Sequence, residues 1–221
     1  EPPAPVTEPE KTFEEVLDEH PVSIQVNGQW QTFPNAKAAE EASYEEYKAN
    51  LRRNAKNFRI TDEHLGEGGP KAKFQANVNA IRLLKELEAA GQQASPEQQE
   101  VLSRYVGWGG LSDAFDPEKP VWALEYAQLK ELLTPEEYAA ARSSTLNAHY
   151  TSPTVIQAIY EAVDRMGFET GNILEPSMGV GNFFGMLPEK MRNSRLYGVE
   201  LDPVSGRIAK QLYPKADITV G

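Results

Sequence analysis

The sequence contains no cysteine and only three histidines in 221 residues. A chain without cysteine can form neither a disulfide framework nor a thiolate metal site. His20, His64 and His149 lie too far apart in the sequence to form a local metal-binding motif. We therefore assign no metal site and expect a reduced, cytoplasmic setting.

Long apolar runs are also missing from the sequence. No stretch approaches the ~20 apolar residues that a membrane-spanning helix needs, and no basic stretch followed by an apolar core opens the chain. Apolar residues make up 40% and charged residues 25% of the chain, which is typical of globular domains. The sequence therefore argues against a membrane protein and predicts one or two globular units.

Basic residues are outnumbered, because 22 Lys and Arg stand against 33 Asp and Glu and give a formal net charge of −11. Binding to the phosphates of nucleic acid requires clustered Lys and Arg. The densest cluster lies between residues 48 and 59, and we interpret it as a solvated helix face balanced by nearby glutamates. By itself the chain is expected to bind DNA weakly if at all.

The amino-terminal part combines a proline-rich opening with a hairpin signal and helical patterns. Four prolines in the first ten residues predict an extended linker over residues 1–20 and indicate a piece of a larger protein. Asn27-Gly28, between two alternating segments, predicts a small hairpin near 22–33. Helical signals otherwise dominate residues 21–145. Two capping boxes mark helix starts, at Ser95-Pro96-Glu97-Gln98 and at Thr134-Pro135-Glu136-Glu137.

The pattern changes over residues 146–221, where strands and helices alternate. Strand candidates at 172–175, 196–201 and 216–220 are separated by helical stretches. Such β-α-β-α-β alternation predicts a parallel sheet with right-handed crossovers and a ligand at the carboxyl ends of the strands. The predicted fold class is α/β, with a mostly helical N-terminal region followed by a partial Rossmann-like sheet.

The turn after the first of these strands carries the clearest functional signal. It lies in Leu174-Glu175-Pro176-Ser177-Met178-Gly179-Val180-Gly181-Asn182-Phe183, where glycines let the backbone approach a ligand closely. Glu200 follows Gly181 by 19 residues, a spacing at which an acid accepts hydrogen bonds from ribose hydroxyls. A nicotinamide fingerprint would need a glycine at Phe184. The pattern favours a nucleoside ligand, with a nicotinamide enzyme kept as an alternative.

Together these residues resemble the S-adenosylmethionine pocket of N6-adenine DNA methyltransferases, in the group whose cofactor motifs precede the catalytic one. The resemblance implies S-adenosylmethionine as the cofactor, with the loop holding its methionine end, the phenylalanine lining the pocket and the second-strand acid binding the ribose. The segment His149-Tyr150-Thr151-Ser152-Pro153 is similar to the family's preceding motif, although Thr151 is also explained as a helix entry. The cofactor-binding residues implied by the resemblance are Tyr150, Thr151, Glu175, Pro176, Ser177, Gly179, Gly181, Phe183 and Glu200.

A less specific resemblance covers residues 58–221. The segment Tyr105-Val106-Gly107-Trp108-Gly109-Gly110-Leu111 is similar to the region ahead of the methyltransferase in large methyltransferase-helicase proteins of conjugative elements and phages. Glycines on both sides of Trp108 predict a tight turn that carries an aromatic packing anchor. We favour this interpretation over a base-stacking site.

One motif of the methyltransferase family has no counterpart here. The family's Asp/Asn/Ser-Pro-Pro-aromatic loop grips the adenine amino group, but the only Pro-Pro of this sequence is Pro2-Pro3, between Glu1 and Ala4. No Gly-Lys-Ser/Thr phosphate loop supports a helicase. We therefore assign no catalytic residue.

The leading hypothesis is a fragment of an S-adenosylmethionine-dependent, adenine-specific DNA methyltransferase. It carries the cofactor-binding motifs in residues 146–221, is inactive alone and reaches DNA through its parent protein. The alternative from another class is a non-enzymatic interaction module of a mobile-element protein, with a vestigial or empty cofactor loop.

The predicted strand order leaves one edge of the sheet open. If the strands lie in the order third, second, first, the edge at 172–175 lacks a neighbour and offers unpaired backbone groups. We expect a second copy of the chain or the N-terminal segment to cover it.

Overall fold

The structure, a computed structural model, describes residues 20–146, 148 and 150–221, without the side chains of 47, 48 and 50–54. The linker predicted for residues 1–20 therefore lies outside the described residues except at its last position, and so does His149. The chain divides into two compact units, Glu1–Asn54 and Ala55–Gly221.

The first unit contains a hairpin and one helix. Strand β1 (Val22–Val26) pairs antiparallel with β2 (Gln29–Phe33), and helix α1 spans Ala36–Asn54. Asn27 and Gly28 adopt positive φ angles of 52° and 75°, the conformation that a two-residue hairpin turn of type I′ requires at both centres. The hairpin prediction is confirmed.

Two helices in the helical part of the second unit begin where their sequence signals predict. Both predicted capping boxes are present: Ser95 Oγ accepts from Gln98 N while Gln98 reaches back, and Thr134 and Glu137 do the same. Each box satisfies two backbone N–H groups that a helix start would otherwise leave unpaired. The α-helices of this part are α2 (Pro70–Ala89), α3 (Pro96–Ser103), α4 (Ala123–Leu132) and α5 (Pro135–Ser144), with 3₁₀ turns at Ser112–Phe115 and Pro120–Trp122.

A three-stranded parallel sheet follows, in the order β3-β4-β5. The predicted β-α-β-α-β alternation is confirmed, although the helix expected from Asn182 is a single turn. The chain is therefore a mixed α/β protein with a parallel sheet. The elements are α6 (Pro153–Arg165), β3 (Asn172–Glu175), α7 (Asn182–Gly185), a 3₁₀ turn (Glu189–Met191), β4 (Arg195–Glu200), α8 (Pro203–Leu212) and β5 (Asp217–Val220).

Helix α8 connects the sheet to the preceding helices. Gln99 of α3 donates through Nε2 to the Gln211 carbonyl at 3.0 Å. The Arg207 guanidinium pairs with Glu88 of α2 at 2.7 Å and with Glu137 of α5 at 2.6 Å. Because Arg207 presents several donors in a fixed plane, it holds two helices at once.

One hydrophobic core also serves both parts of the second unit. Leu84 and Leu102 of the helical part are fully buried, as are Ile208 and Leu212 of α8. The helical part and the sheet therefore pack as one body, and the functional boundary expected between residues 145 and 146 stays a prediction.

Trp108 lies at the centre of an aromatic cluster and is only 1% exposed. Its ring meets Phe74 at 6.0 Å, Tyr105 at 6.3 Å and Phe115 at 5.3 Å, each in an edge-to-face arrangement. Such pairs contribute beyond the area that they bury. The interpretation of Trp108 as a packing anchor is confirmed.

Within the part of the chain that the structure describes, β3 pairs only with β4, so its other edge is open. Apolar side chains are exposed near it: Leu174 is 62% exposed, and Ile159 of α6, which lines a cavity together with Leu174, is 42% exposed. That a second copy or the N-terminal segment covers this edge stays a prediction. Among the helices of the described ranges, none combines the length and the apolar character that a membrane span requires.

The aromatic cluster generates a stability prediction. Trp108→Ala removes the central ring, and we expect a loss of roughly 3–5 kcal/mol in the free energy of unfolding because a cavity remains. Trp30→Ala is the matched control, since Trp30 is 72% exposed on the hairpin. Urea denaturation followed by circular dichroism measures both, and equal effects of the two substitutions would contradict the packing role.

Candidate functional site

The loop between β3 and α7 requires glycine at two positions. Gly179 and Gly181 have φ angles of 56° and 85°, which side chains rarely tolerate. A Cβ at Gly179 would lie 2.7 Å from the Tyr150 ring, and one at Gly181 would lie 2.5 Å from the Tyr213 ring. The two glycines therefore let the loop fold tightly between two aromatic side chains.

Glu200, at the end of β4, fixes this loop. Its Oε2 accepts a hydrogen bond from Gly179 N at 2.6 Å, and its Oε1 accepts one from Asp202 N at 2.8 Å. Bonds from N–H groups to a carboxylate are about twice as strong as neutral ones. Each carboxylate oxygen retains a further lone pair for a ligand.

A second network lies beside the first. Asp202 caps α8 by accepting from Ser205 N at 2.8 Å, and the Ser205 hydroxyl also donates to Asp202. Tyr150 Oη lies 3.2 Å from Ser205 Oγ and is left to donate to it. Burial raises the pKa of Tyr150 far above its ordinary value, so its hydroxyl keeps its proton.

Glu175, at the end of β3, lies in surroundings that disfavour its ionised form. Among the described residues its buried Oε2 has no hydrogen-bond partner. Burial, and then the nearby Glu200 carboxylate, raise the pKa of Glu175 to about 8. Its carboxyl group is therefore largely protonated at neutral pH, and a positive charge placed beside it would favour ionisation.

These groups surround a cavity of about 440 Å³, within the size range of small-molecule sites. The sheet contributes one wall and the helical part another. The lining residues from the loop and the strand ends include Glu175, Ser177, Met178, Gly179, Asn182, Phe183, Glu200, Leu201, Asp202 and Ser205, and those from the segments before β3 include Tyr105, Gly107, Ala140, Ser143, Ser144, Ala148, Tyr150 and Thr151.

Most of the residues predicted from the sequence meet at this cavity. Seven of them line it: Tyr150, Thr151, Glu175, Ser177, Gly179, Phe183 and Glu200. Pro176 lines an adjoining cavity of about 540 Å³ instead. Gly181 is not among the residues lining either one, and its N–H donates to the Met178 carbonyl at 2.8 Å. The binding roles of all nine stay predictions.

Sequence reasoning missed several lining residues. Leu201 is 81% exposed although it is apolar, which marks a surface suited to a flat apolar group. Asp202 precedes Pro203, a pattern that marks a helix start and does not indicate a ligand. The cavity residues of α5 carry no local sequence signal of a binding site, because only tertiary packing brings this helix to the loop. Within the described ranges, no group of three or more potential ligands could hold a metal ion.

The fold and the cavity define a mixed α/β protein with a ligand-sized pocket at the carboxyl ends of parallel strands. The chain is 24% identical over 155 residues to Defense against restriction protein B of Escherichia phage P1, a match covering 70% of this chain and 5% of that protein. It is 46% identical over 43 residues to the type II methyltransferase M.CvrRI of Paramecium bursaria Chlorella virus XZ-6E, covering 20% of this chain and 11% of the methyltransferase.

These similarities relate the chain distantly to a methyltransferase segment and to a phage defence protein. The chain spans only a small part of the length of either relative. No known family model matches it, and no solved structure matches it significantly.

The buried carboxyl group of Glu175 generates a pH prediction. Its pKa is raised from about 4.5 to about 8, so folding favours the protonated form and stability is lost as pH rises through this window. Glu175→Gln removes the titration. From pH 5 to pH 9 the wild-type chain should lose on the order of 2–4 kcal/mol relative to this variant.

Urea denaturation across this pH range measures the difference. Glu169→Gln is the control because Glu169 is exposed, and its profile should parallel that of the wild type. A constant difference between wild type and Glu175→Gln at all pH values would show that Glu175 is ionised in the folded state.

Proposed function

We propose that the cavity binds S-adenosylmethionine and that the chain carries the cofactor-binding half of a Rossmann-like DNA methyltransferase. One observation carries the proposal: two carboxyl groups line one cavity beside a glycine turn. They belong to Glu200 and to Glu175, whose buried Oε2 has no hydrogen-bond partner among the described residues. A pocket with two acids suits a ligand that combines positive charge with ribose hydroxyls. S-adenosylmethionine has both, because it joins a sulfonium and an ammonium group to a nucleoside.

The roles of the lining residues follow from their positions. Glu200 accepts hydrogen bonds from the ribose hydroxyls with its remaining lone pairs. Glu175 ionises beside the positive end of the ligand. Phe183 and Leu201 offer apolar contacts, and Tyr150 and Thr151 close the pocket near the start of α6. Bound there, the cofactor supplies a methyl group on a sulfonium for transfer to a nucleophile.

We further propose that the methyl acceptor is the adenine amino group of DNA. The similarity to a type II methyltransferase and the motif between Leu174 and Phe183 support this substrate. Because the sequence contains no Pro-Pro-aromatic loop to hold a flipped base, base binding falls to other parts of the parent protein. The residues of this chain bind and orient the cofactor.

Isothermal titration calorimetry tests cofactor binding. We expect saturable binding of S-adenosylmethionine and none of NAD. Glu200→Ala should weaken binding at least about tenfold, because the ribose loses a charged acceptor and the loop loses its bond at Gly179. Glu169→Ala, at an exposed position, is the matched control and should bind like the wild type.

The outcomes separate the alternatives. Binding of NAD in place of S-adenosylmethionine would favour a nicotinamide enzyme. Heat from neither ligand, with circular dichroism showing a folded chain, would favour the non-enzymatic interaction module.

A second prediction concerns DNA. Because the formal net charge is −11, the chain alone should bind a labelled duplex with a dissociation constant weaker than about 10⁻⁴ M at roughly 0.1 M salt. Fluorescence anisotropy measures it. Micromolar binding that salt weakens would place the DNA contact within this chain.

A further inference from the structure

In the described part of the chain, three buried side-chain atoms lack a hydrogen-bond partner: Tyr105 Oη, Glu175 Oε2 and Tyr213 Oη. Such atoms are rare in folded proteins, and each requires an explanation. Tyr105 and Glu175 line the same cavity, whereas Tyr213 is not among its lining residues. A ligand in the cavity that forms hydrogen bonds with both atoms would explain why neither has a partner within the protein.

Tyr105 is held rigidly at this position. Asn77 of α2 is fully buried and clamps the adjacent backbone, donating to the Gly107 carbonyl at 2.6 Å and accepting from Val106 N at 2.8 Å. The Tyr105 ring packs edge-to-face against Trp108 at 6.3 Å and Tyr150 at 6.5 Å. A side chain fixed in this way loses little entropy when it binds a ligand.

The surroundings of the hydroxyl show which part of the cavity it faces. Burial, and then the Asp202 carboxylate, raise the pKa of Tyr105 well above its ordinary value, so the group remains a donor. Asp202 lies two residues after Glu200 and accepts from the Ser205 hydroxyl. The Tyr105 ring packs against Tyr150, whose hydroxyl lies 3.2 Å from Ser205 Oγ. Tyr105 therefore lies on the β4 side of the cavity, where Glu200 would hold a ribose.

We propose that Tyr105 is a ligand-binding residue whose hydroxyl donates a hydrogen bond to the nucleoside part of the cofactor. The inference rests on the proposed function and extends it, because a residue of the helical region then contributes directly to the pocket. The helical region is accordingly part of the cofactor site rather than a separate module.

Tyr105→Phe removes only the hydroxyl, and Tyr213→Phe is the matched control. Both residues are 1% exposed, and neither hydroxyl has a hydrogen-bond partner among the residues that the structure describes. Neither substitution should therefore destabilise the chain in the absence of ligand. Tyr105→Phe should weaken S-adenosylmethionine binding about three- to tenfold. Tyr213→Phe should leave the affinity unchanged.

S-adenosylhomocysteine distinguishes the two ends of the pocket. It keeps the nucleoside but lacks the sulfonium charge, so Tyr105→Phe should weaken both ligands by the same factor. Glu175→Gln should weaken S-adenosylmethionine more than S-adenosylhomocysteine. Calorimetry gives the affinities, and thermal unfolding without ligand verifies that each variant is folded.

Each result has a clear meaning. Equal affinities of Tyr105→Phe and the wild type, or equal losses for Tyr105→Phe and Tyr213→Phe, would overturn the role of Tyr105 and leave the proposed function standing. Failure of the wild-type chain to bind either ligand would overturn both. A loss confined to Tyr105→Phe, and equal for the two ligands, would establish the inference.

Discussion

The carboxylate of Glu200 is the interaction on which the site depends. It accepts hydrogen bonds from backbone N–H groups of the glycine loop after β3 and of the start of α8. One side chain therefore fixes two segments at the end of the sheet. Strong hydrogen bonds of this kind set the positions of both segments before a ligand arrives. Binding of a ligand here costs little conformational entropy in the loop, because the hydrogen bond to Glu200 already fixes Gly179.

The Glu200 carboxylate disfavours ionisation of Glu175 when the pocket contains no positive charge. Glu175 and Glu200 come from neighbouring parallel strands, and parallel strands end at the same edge of a sheet. Burial, and then the nearby Glu200 carboxylate, disfavour ionisation of Glu175. Both effects raise the pKa of Glu175, and a cationic ligand beside it would favour the ionised form. Under the proposed function, the site therefore selects its ligand by charge as well as by shape.

Local features of the fold were predictable because each has a short-range cause. Asn27-Gly28 supplies two residues that tolerate positive φ, and Ser95 with Gln98 supplies a reciprocal cap. Each feature depends on residues within a few positions of one another. The alternation of strands and helices after residue 146 is likewise visible in the periodicity of apolar residues.

The helical wall of the site was not predictable for the opposite reason. Tyr105 reaches the cavity because Asn77, 28 positions earlier, clamps the following backbone. Similarly, the sequence indicated Gly181 as a ligand contact, but the space above it is filled by Tyr213. Such relations arise only from the packing of remote segments, and no spacing along the chain encodes them.

The ion pairs of Arg207 have a consequence for how this region can be inherited or engineered. Glu137 belongs to the capping box of α5 and also pairs with Arg207, and α5 forms part of the cavity wall. A recombination junction placed just before α6 would strip the pocket of this wall and leave Arg207 without Glu88 and Glu137. The smallest piece that can be transplanted with its pocket intact therefore includes the helices that precede the sheet.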